Sequence, residues 1–136
     1  MKVIRHSEFI RLKKLAKIAK RKGNFEVCGI IGCNEKDEIR LFFLKNSSKA
    51  ACNFLMKYRS VEILEKNLSQ IGISIFGSFH SHPISEATPS RGDRENAFHN
   101  GHELIYDVIG NSLRLWAKNG SLVREVDCFS CILGKP

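Results

Sequence analysis

Apolar residues recur at positions 9, 12, 15, 16 and 19 of SEFIRLKKLAKIAKRKG, a spacing that lines one side of a helix. Ser7 is placed to cap its start and Gly23 to end it. The period then shortens. EVCGIIGC (26–33) is an apolar, glycine-containing run suited to a buried strand, and EIRLFFLK (38–45) follows as its hairpin partner across the polar turn Asn34–Asp37. Residues 46–57 read as a loop with a short strand at Phe54–Met56. Apolar positions 61, 63, 64 and 68 predict a second helix from Arg59 to Gln70. Ile73 to His82 is the next strand, ended by Pro83, and the loop 83–92 leads to a short helix near Arg91–Asn100. Three strands close the chain, ELIYDVIG, SLRLWAK and SLVREVD, joined at Asn111 and at the hairpin pair Asn119-Gly120. No repeat, low-complexity tract or linker interrupts this order. The expectation is a single domain over residues 1–136, an α/β sandwich of helices around a mixed, largely antiparallel sheet.

The length of 136 residues, 43% hydrophobic and 26% charged, suits one modest core. The net charge of +8 changes the picture only locally. Nine of the 22 basic residues and one of the 14 acidic ones fall within residues 1–22, which leaves thirteen of each sign for the rest. The first helix therefore carries a lysine-rich face, read either as a solvated surface or as a docking surface for an acidic protein. No basic-plus-aromatic pattern points to nucleic acid. No apolar run approaches the ~18 residues that span a membrane, and no signal-peptide segment is present, so a soluble, cytoplasmic protein without a membrane partner is expected. Five cysteines (Cys28, Cys33, Cys52, Cys128, Cys131) form an odd set, and reduced thiols are the default.

The chemistry concentrates in GSFHSHPISEATPSRGD (77–93). On a strand, residues two apart share a face about 7 Å apart along the backbone, so His80 and His82 project together and Ser81 turns away. Two imidazoles at a strand end can share one divalent ion with Zn–N near ~2.0–2.1 Å, and Asp93 can return from the helix start as third ligand. Two histidines and a carboxylate leave a fourth tetrahedral position open for water, which separates a catalytic zinc site from a closed structural one. Hydrolysis of an amide further needs a general base and an oxyanion donor. Ser90 is a candidate donor; Glu26, Glu86 and Glu95 all remain candidates for the base on these grounds. Taken singly, the histidines also fit ordinary surface or core positions, and Ser90 with Asp93 also fits a helix-capping pair.

Together, His80-Ser81-His82-Pro83, with seven residues between His82 and Ser90 and two between Ser90 and Asp93, resemble the JAMM motif of the MPN-domain zinc metalloproteases. Glu26-Val27-Cys28-Gly29 resembles that family's early glutamate strand, and the order of elements matches over nearly the whole chain. The resemblance implies a cytidine-deaminase-like (MPN) α/β fold with one zinc ion per chain. It implies His80, His82 and Asp93 as ligands, Glu26 as general base and Ser90 as oxyanion stabiliser. It implies cleavage after the C-terminal Gly-Gly of a ubiquitin-like or sulfur-carrier β-grasp protein. With 53 residues between Glu26 and His80 and 43 after Asp93, the chain has little room for ubiquitin-clamping insertions and is more similar to compact prokaryotic members. The other readings are a noncatalytic MPN scaffold that binds a ubiquitin-like partner, or the same chemistry on another peptide.

Cys128-Phe129-Ser130-Cys131 lacks the second pair of a zinc ribbon and reads as an incidental tail or an oligomer contact, compatible with a homodimer. A zinc deaminase would need His-x-Glu followed by Pro-Cys-x-x-Cys, and neither is present. His99 and His102 read as exposed or helix-end histidines. Phe42, Phe43 and Phe54 read as core or as the lining of a groove for an extended peptide tail, which an edge near 53–57 would pair by strand addition.

Overall fold

Every residue of the strand Cys28–Cys33 (β2) is buried, because it lies inside an eight-stranded sheet with both faces covered. The computed structural model describes residues 2–96, 101–119, 122–126 and 130–132. The remaining elements are β1 (Val3–Arg5), α1 (His6–Gly23), β3 (Glu38–Leu44), α2 (Tyr58–Gln70), β4 (Ser74–His82), α3 (Arg91–Asn96), β5 (Gly101–Asp107), β6 (Ser112–Asn119), β7 (Leu122–Glu125) and β8 (Ser130–Ile132). They give the sheet order β7-β6-β5-β4-β2-β3-β1-β8. The sheet is mixed as expected: β2–β3, β2–β4, β5–β6 and β6–β7 pair antiparallel, whereas β4–β5, β1–β3 and β1–β8 pair parallel.

Alternation along the strands sorts side chains into two layers. Leu12 and Ala16 of α1 pack with Ile31, Leu41, Phe79, Leu104, Tyr106 and Leu115 as the main apolar core. Phe79 belongs to this layer, so His80 faces the other one, where Phe54 stacks on its ring and where α2 packs on β4. Two glycines permit the tight sheet. A Cβ at Gly77 would lie 1.9 Å from the His102 carbonyl oxygen of β5, and one at Gly29 would lie 2.6 Å from the Phe79 ring. Among the described residues no helix is long and apolar enough to cross a membrane.

Several boundaries differ from the sequence expectation. β1 was not anticipated: three residues are too few to show a period, and pairing with β3 and β8 is what makes them a strand. Its presence moves the start of α1 forward. Arg5 takes the cap position with extended backbone and no side-chain bond, and Ser7 lies inside the first turn and caps nothing. At the other end the helix includes Gly23, and Asn24 (φ 56°) closes it by donating to the Lys20 carbonyl, with Phe25 N–H donating to the Ala19 carbonyl. Phe54–Met56 forms no strand. Leu55 instead donates its N–H to the Asn46 side chain and accepts from Ser47 N–H, so its backbone is satisfied within the loop. β5 begins at Gly101, two residues before the expected Glu103, which places that glutamate inside the strand. Residues 97–100, the Gly120 half of the β6–β7 turn, and Cys128 and Phe129 lie outside the described residues.

Candidate metal centre

His80 and His82 end β4 on one face, both buried, with their Nε2 atoms 3.0 Å apart. The chain then returns over β6. Trp116 Nε1 donates to the Ala87 carbonyl at 2.9 Å, and Arg114, itself gripped by both carboxylate oxygens of Glu125, donates to Thr88 Oγ1 at 3.2 Å. These bonds deliver Ser90 to the start of α3. There the capping pair forms: Asp93 N–H donates to Ser90 Oγ at 3.0 Å and Ser90 N–H donates to Asp93 Oδ2 at 2.9 Å. The same Oδ2 lies 3.1 Å from His80 Nε2 and 3.0 Å from His82 Nε2. Structural cap and converging ligand set are therefore one arrangement.

The hydrogen bonds on the far side of each ring decide what the near side offers. His82 Nδ1 sits 2.6 Å from the Glu86 carbonyl oxygen, and His80 Nδ1 sits 2.5 Å from Glu103 Oε1. Each partner can only accept, so each Nδ1 carries the proton and each neutral ring presents its Nε2 lone pair to the centre. Two ring lone pairs and a carboxylate oxygen thus converge with no donor between them, which calls for a cation. Without an ion the charge is supplied by a proton: burial opposes charge on His80, but Asp93 and Glu103 raise its pKa to about 10. Burial likewise opposes charge on Asp93, yet the hydrogen bonds of His80 and His82 hold its carboxyl far below the usual carboxylate range. A tetrahedral ion with bonds of about 2.0–2.1 Å sets its ligands roughly 3.3–3.4 Å apart. The spacings of 3.0, 3.1 and 3.0 Å fit such an ion after a small expansion.

Glu26 precedes β2 and is buried, with Oε1 lacking any hydrogen-bond partner. Its main chain is pinned on both sides, as Asn46 Nδ2 donates to the Glu26 carbonyl at 2.9 Å and Ser81 holds Val27. Burial pushes its carboxyl up to about 7, with the His80 and His82 charges opposing the rise and Asp93 and Glu103 adding to it. Glu86 is exposed and meets His82 through its backbone carbonyl, and nothing is described of the Glu95 side chain. Ser90 is exposed at the helix start, its oxygen accepting from Asp93.

The other sequence candidates lie elsewhere. His102 stacks on Phe76 with ring centroids 4.0 Å apart, and His99 is outside the described residues. Burial pushes the Cys28 thiol up to about 12, which makes it an inert core group. Glu103, Ser78 and Ser81 were missed. The available signal is an acidic residue beside the apolar run Leu104–Tyr106, in a strand that the sequence pattern starts at Glu103 and the fold starts at Gly101.

A sheet of this topology flanked by helices, with two strand-end histidines and a helix-start aspartate converging, defines a JAB/MPN-type domain with a JAMM-like metal-binding group. The sequence profile of the prokaryotic homologs of the JAB domain matches residues 11–126, and the chain belongs to that family as a compact member. No curated protein matches the sequence. Among solved structures, a Desulfitobacterium hafniense protein shares the fold with TM-score 0.78 at 23% identity, over 100% of this chain and 94% of its own. A JAB1/MPN domain protein from Archaeoglobus fulgidus has TM-score 0.61 at 23% identity, over 97% of this chain and 99% of its own. A structure described as a JAMM metalloprotease-like zinc site in the proteasome and signalosome has TM-score 0.53 at 22% identity, over 97% of each chain.

Proposed function

We propose that this protein is a zinc-dependent peptidase or isopeptidase that hydrolyses the bond after the C-terminal Gly-Gly of a ubiquitin-like or sulfur-carrier β-grasp protein. The observation that carries this reading is the convergence of His80 Nε2, His82 Nε2 and Asp93 Oδ2 beside a buried glutamate whose pKa lies near neutrality. His80 Nε2, His82 Nε2 and Asp93 Oδ2 would hold a divalent ion, which would supply Lewis acidity to water and to a carbonyl. Zinc is favoured by the imidazole and carboxylate donors, by their spacing, and by the likeness to a fold described as carrying a metalloprotease-like zinc site.

The chain's own residues do the rest. Glu26 takes the proton of the attacking water and delivers it to the nitrogen of the breaking amide bond, so the acyl carbon leaves as a carboxylate and the nitrogen as an amine. A pKa of about 7 suits both halves of this exchange at neutral pH. Ser90 Oγ accepts the Asp93 N–H, which leaves its hydroxyl proton to donate to the carbonyl oxygen as negative charge develops there. Phe54, stacked on His80 at 4.5 Å, shields that ring from water. The compact chain and the family resemblance support a small Gly-Gly-tailed carrier as substrate.

Incubation with a panel of β-grasp carriers bearing C-terminal extensions tests the reading. The expected result is release of the extension after Gly-Gly, abolished by a chelator and restored by zinc. A zinc-loaded protein that cleaves no member of the panel, or one that retains iron and not zinc, would overturn it.

A further inference from the structure

We propose that Glu103 is a positioning residue for the metal centre, acting through His80, with Ser78 fixing its orientation in turn. This inference rests on the metal-binding reading of His80, His82 and Asp93.

Glu103 lies on β5, which runs parallel to β4 with Glu103 opposite Ser78. Ser78 and His80 are two residues apart on β4, so all three side chains share the face of the metal centre. On its other side Glu103 is opposite Trp116 of β6. The carboxylate is buried, at 7% exposure, in a strand whose next three residues are apolar and fully enclosed. Burial of an acidic group there is costly unless its oxygens are partnered. Both are. Oε1 lies 2.5 Å from His80 Nδ1, and Oε2 accepts the Ser78 hydroxyl.

This division of the two oxygens has a directional consequence. The Ser78 hydroxyl holds Oε2 and so sets the plane of the carboxylate. Oε1 is then aimed at His80 Nδ1, which holds the proton on that nitrogen and turns the Nε2 lone pair towards His82 and Asp93. Phe54 stacked on the ring limits its tilt. The two histidines are not equivalent. His82 donates to a neutral backbone carbonyl at 2.6 Å, whereas His80 donates to a carboxylate, and a charged acceptor leaves the ring the more basic metal donor. His80 is the stronger of the two nitrogen ligands because Glu103 makes it so.

The test is competition for Zn2+ against a chromophoric chelator, run on the wild type, Glu103→Gln, Glu103→Ala and Ser78→Ala. Glu103→Gln keeps an acceptor for Nδ1–H and loses the charge; Glu103→Ala loses both. The expected order of affinity is wild type, then Glu103→Gln, then Glu103→Ala, with losses of about 10- to 100-fold across the series, and Ser78→Ala between wild type and Glu103→Ala. Chemical unfolding of the chelator-treated proteins is measured alongside, since a residue that merely supports packing would move that transition and leave zinc affinity unchanged. Should Glu103→Ala fail to fold, the isosteric Glu103→Gln variant carries the comparison. Zinc affinity of Glu103→Gln within twofold of wild type overturns the role of Glu103 and leaves the metal centre standing. A wild type that binds no zinc overturns the metal reading itself, and this inference with it.

Discussion

Ser81 holds Val27 at two points: its backbone N–H donates to the Val27 carbonyl at 3.0 Å, and its hydroxyl accepts the Val27 N–H at 2.9 Å. The residue between the two histidines thereby registers the residue that follows Glu26. The position of Glu26 against His80, His82 and Asp93 is set by this clamp and by Asn46 on the Glu26 carbonyl.

Ser81→Ala removes the acceptor for a backbone N–H at the sheet end, a loss of about 1–3 kcal/mol in stability. If the displaced group, Glu26, acts as the proposed base and not as a ligand, zinc affinity is expected to hold while kcat falls roughly 10- to 100-fold, the scale of a small misplacement. Steady-state kinetics at measured zinc content check this.

Glu26 sets activity and stability against each other. Its folded pKa of about 7 lies above the ordinary 4.5, so the folded state favours the protonated form. Below about pH 4.5 the group costs nothing; the cost accrues as pH rises from about 4.5 to 7, reaches up to about 3 kcal/mol in the metal-free fold, and stays level above that. Glu26→Gln is therefore expected to be more stable than wild type at pH 8, with the gain vanishing towards pH 4.5, and to lose about 10²- to 10⁴-fold in activity. Denaturant titrations of chelator-treated proteins at both pH values check the stability half.

Metal binding is expected to weaken in acid. In the metal-free protein His80 holds a proton with a pKa of about 10, and that proton must leave when Nε2 takes an ion. Each proton displaced lowers apparent affinity about tenfold per unit of falling pH, so at least that slope is expected between pH 8 and pH 6. Calorimetry in buffers of different ionisation enthalpy counts the released protons; a count of zero contradicts the assignment.

Ser90→Ala removes a cap and the hydroxyl proposed as oxyanion donor together. The cap is worth about 1 kcal/mol, and the donor about 10²- to 10³-fold in kcat. A change in KM without a change in kcat would assign Ser90 to substrate binding alone.

The periodic elements were legible because their patterns are local. α1 and β2 follow from spacing, and the shared face of His80 and His82 follows from strand alternation, with Asp93 three residues after a capping serine. β1 was not legible, since a three-residue strand exists only through its neighbours. Phe54–Met56 has strand composition, but Asn46 satisfies its backbone locally and no ladder forms. Local chemistry also left Glu26, Glu86 and Glu95 equivalent as bases, and the family resemblance chose Glu26. In the fold Glu26 is buried with an unpartnered oxygen, whereas Glu86 is exposed. Glu103 depends on the register of β4 against β5, a relation between residues 25 apart that no local pattern carries.

On the proposed function, His80, His82, Asp93 and Glu26 form one hydrolytic centre. Mass spectrometry of a Gly-Gly-tailed carrier fusion, treated with wild type or Glu26→Gln at equal zinc content, tests it most directly. The expected result is complete cleavage after Gly-Gly by the wild type and an intact fusion with Glu26→Gln, each protein holding one zinc ion per chain. Equal cleavage by both proteins, or an intact fusion across the carrier panel with zinc-loaded wild type, would contradict it.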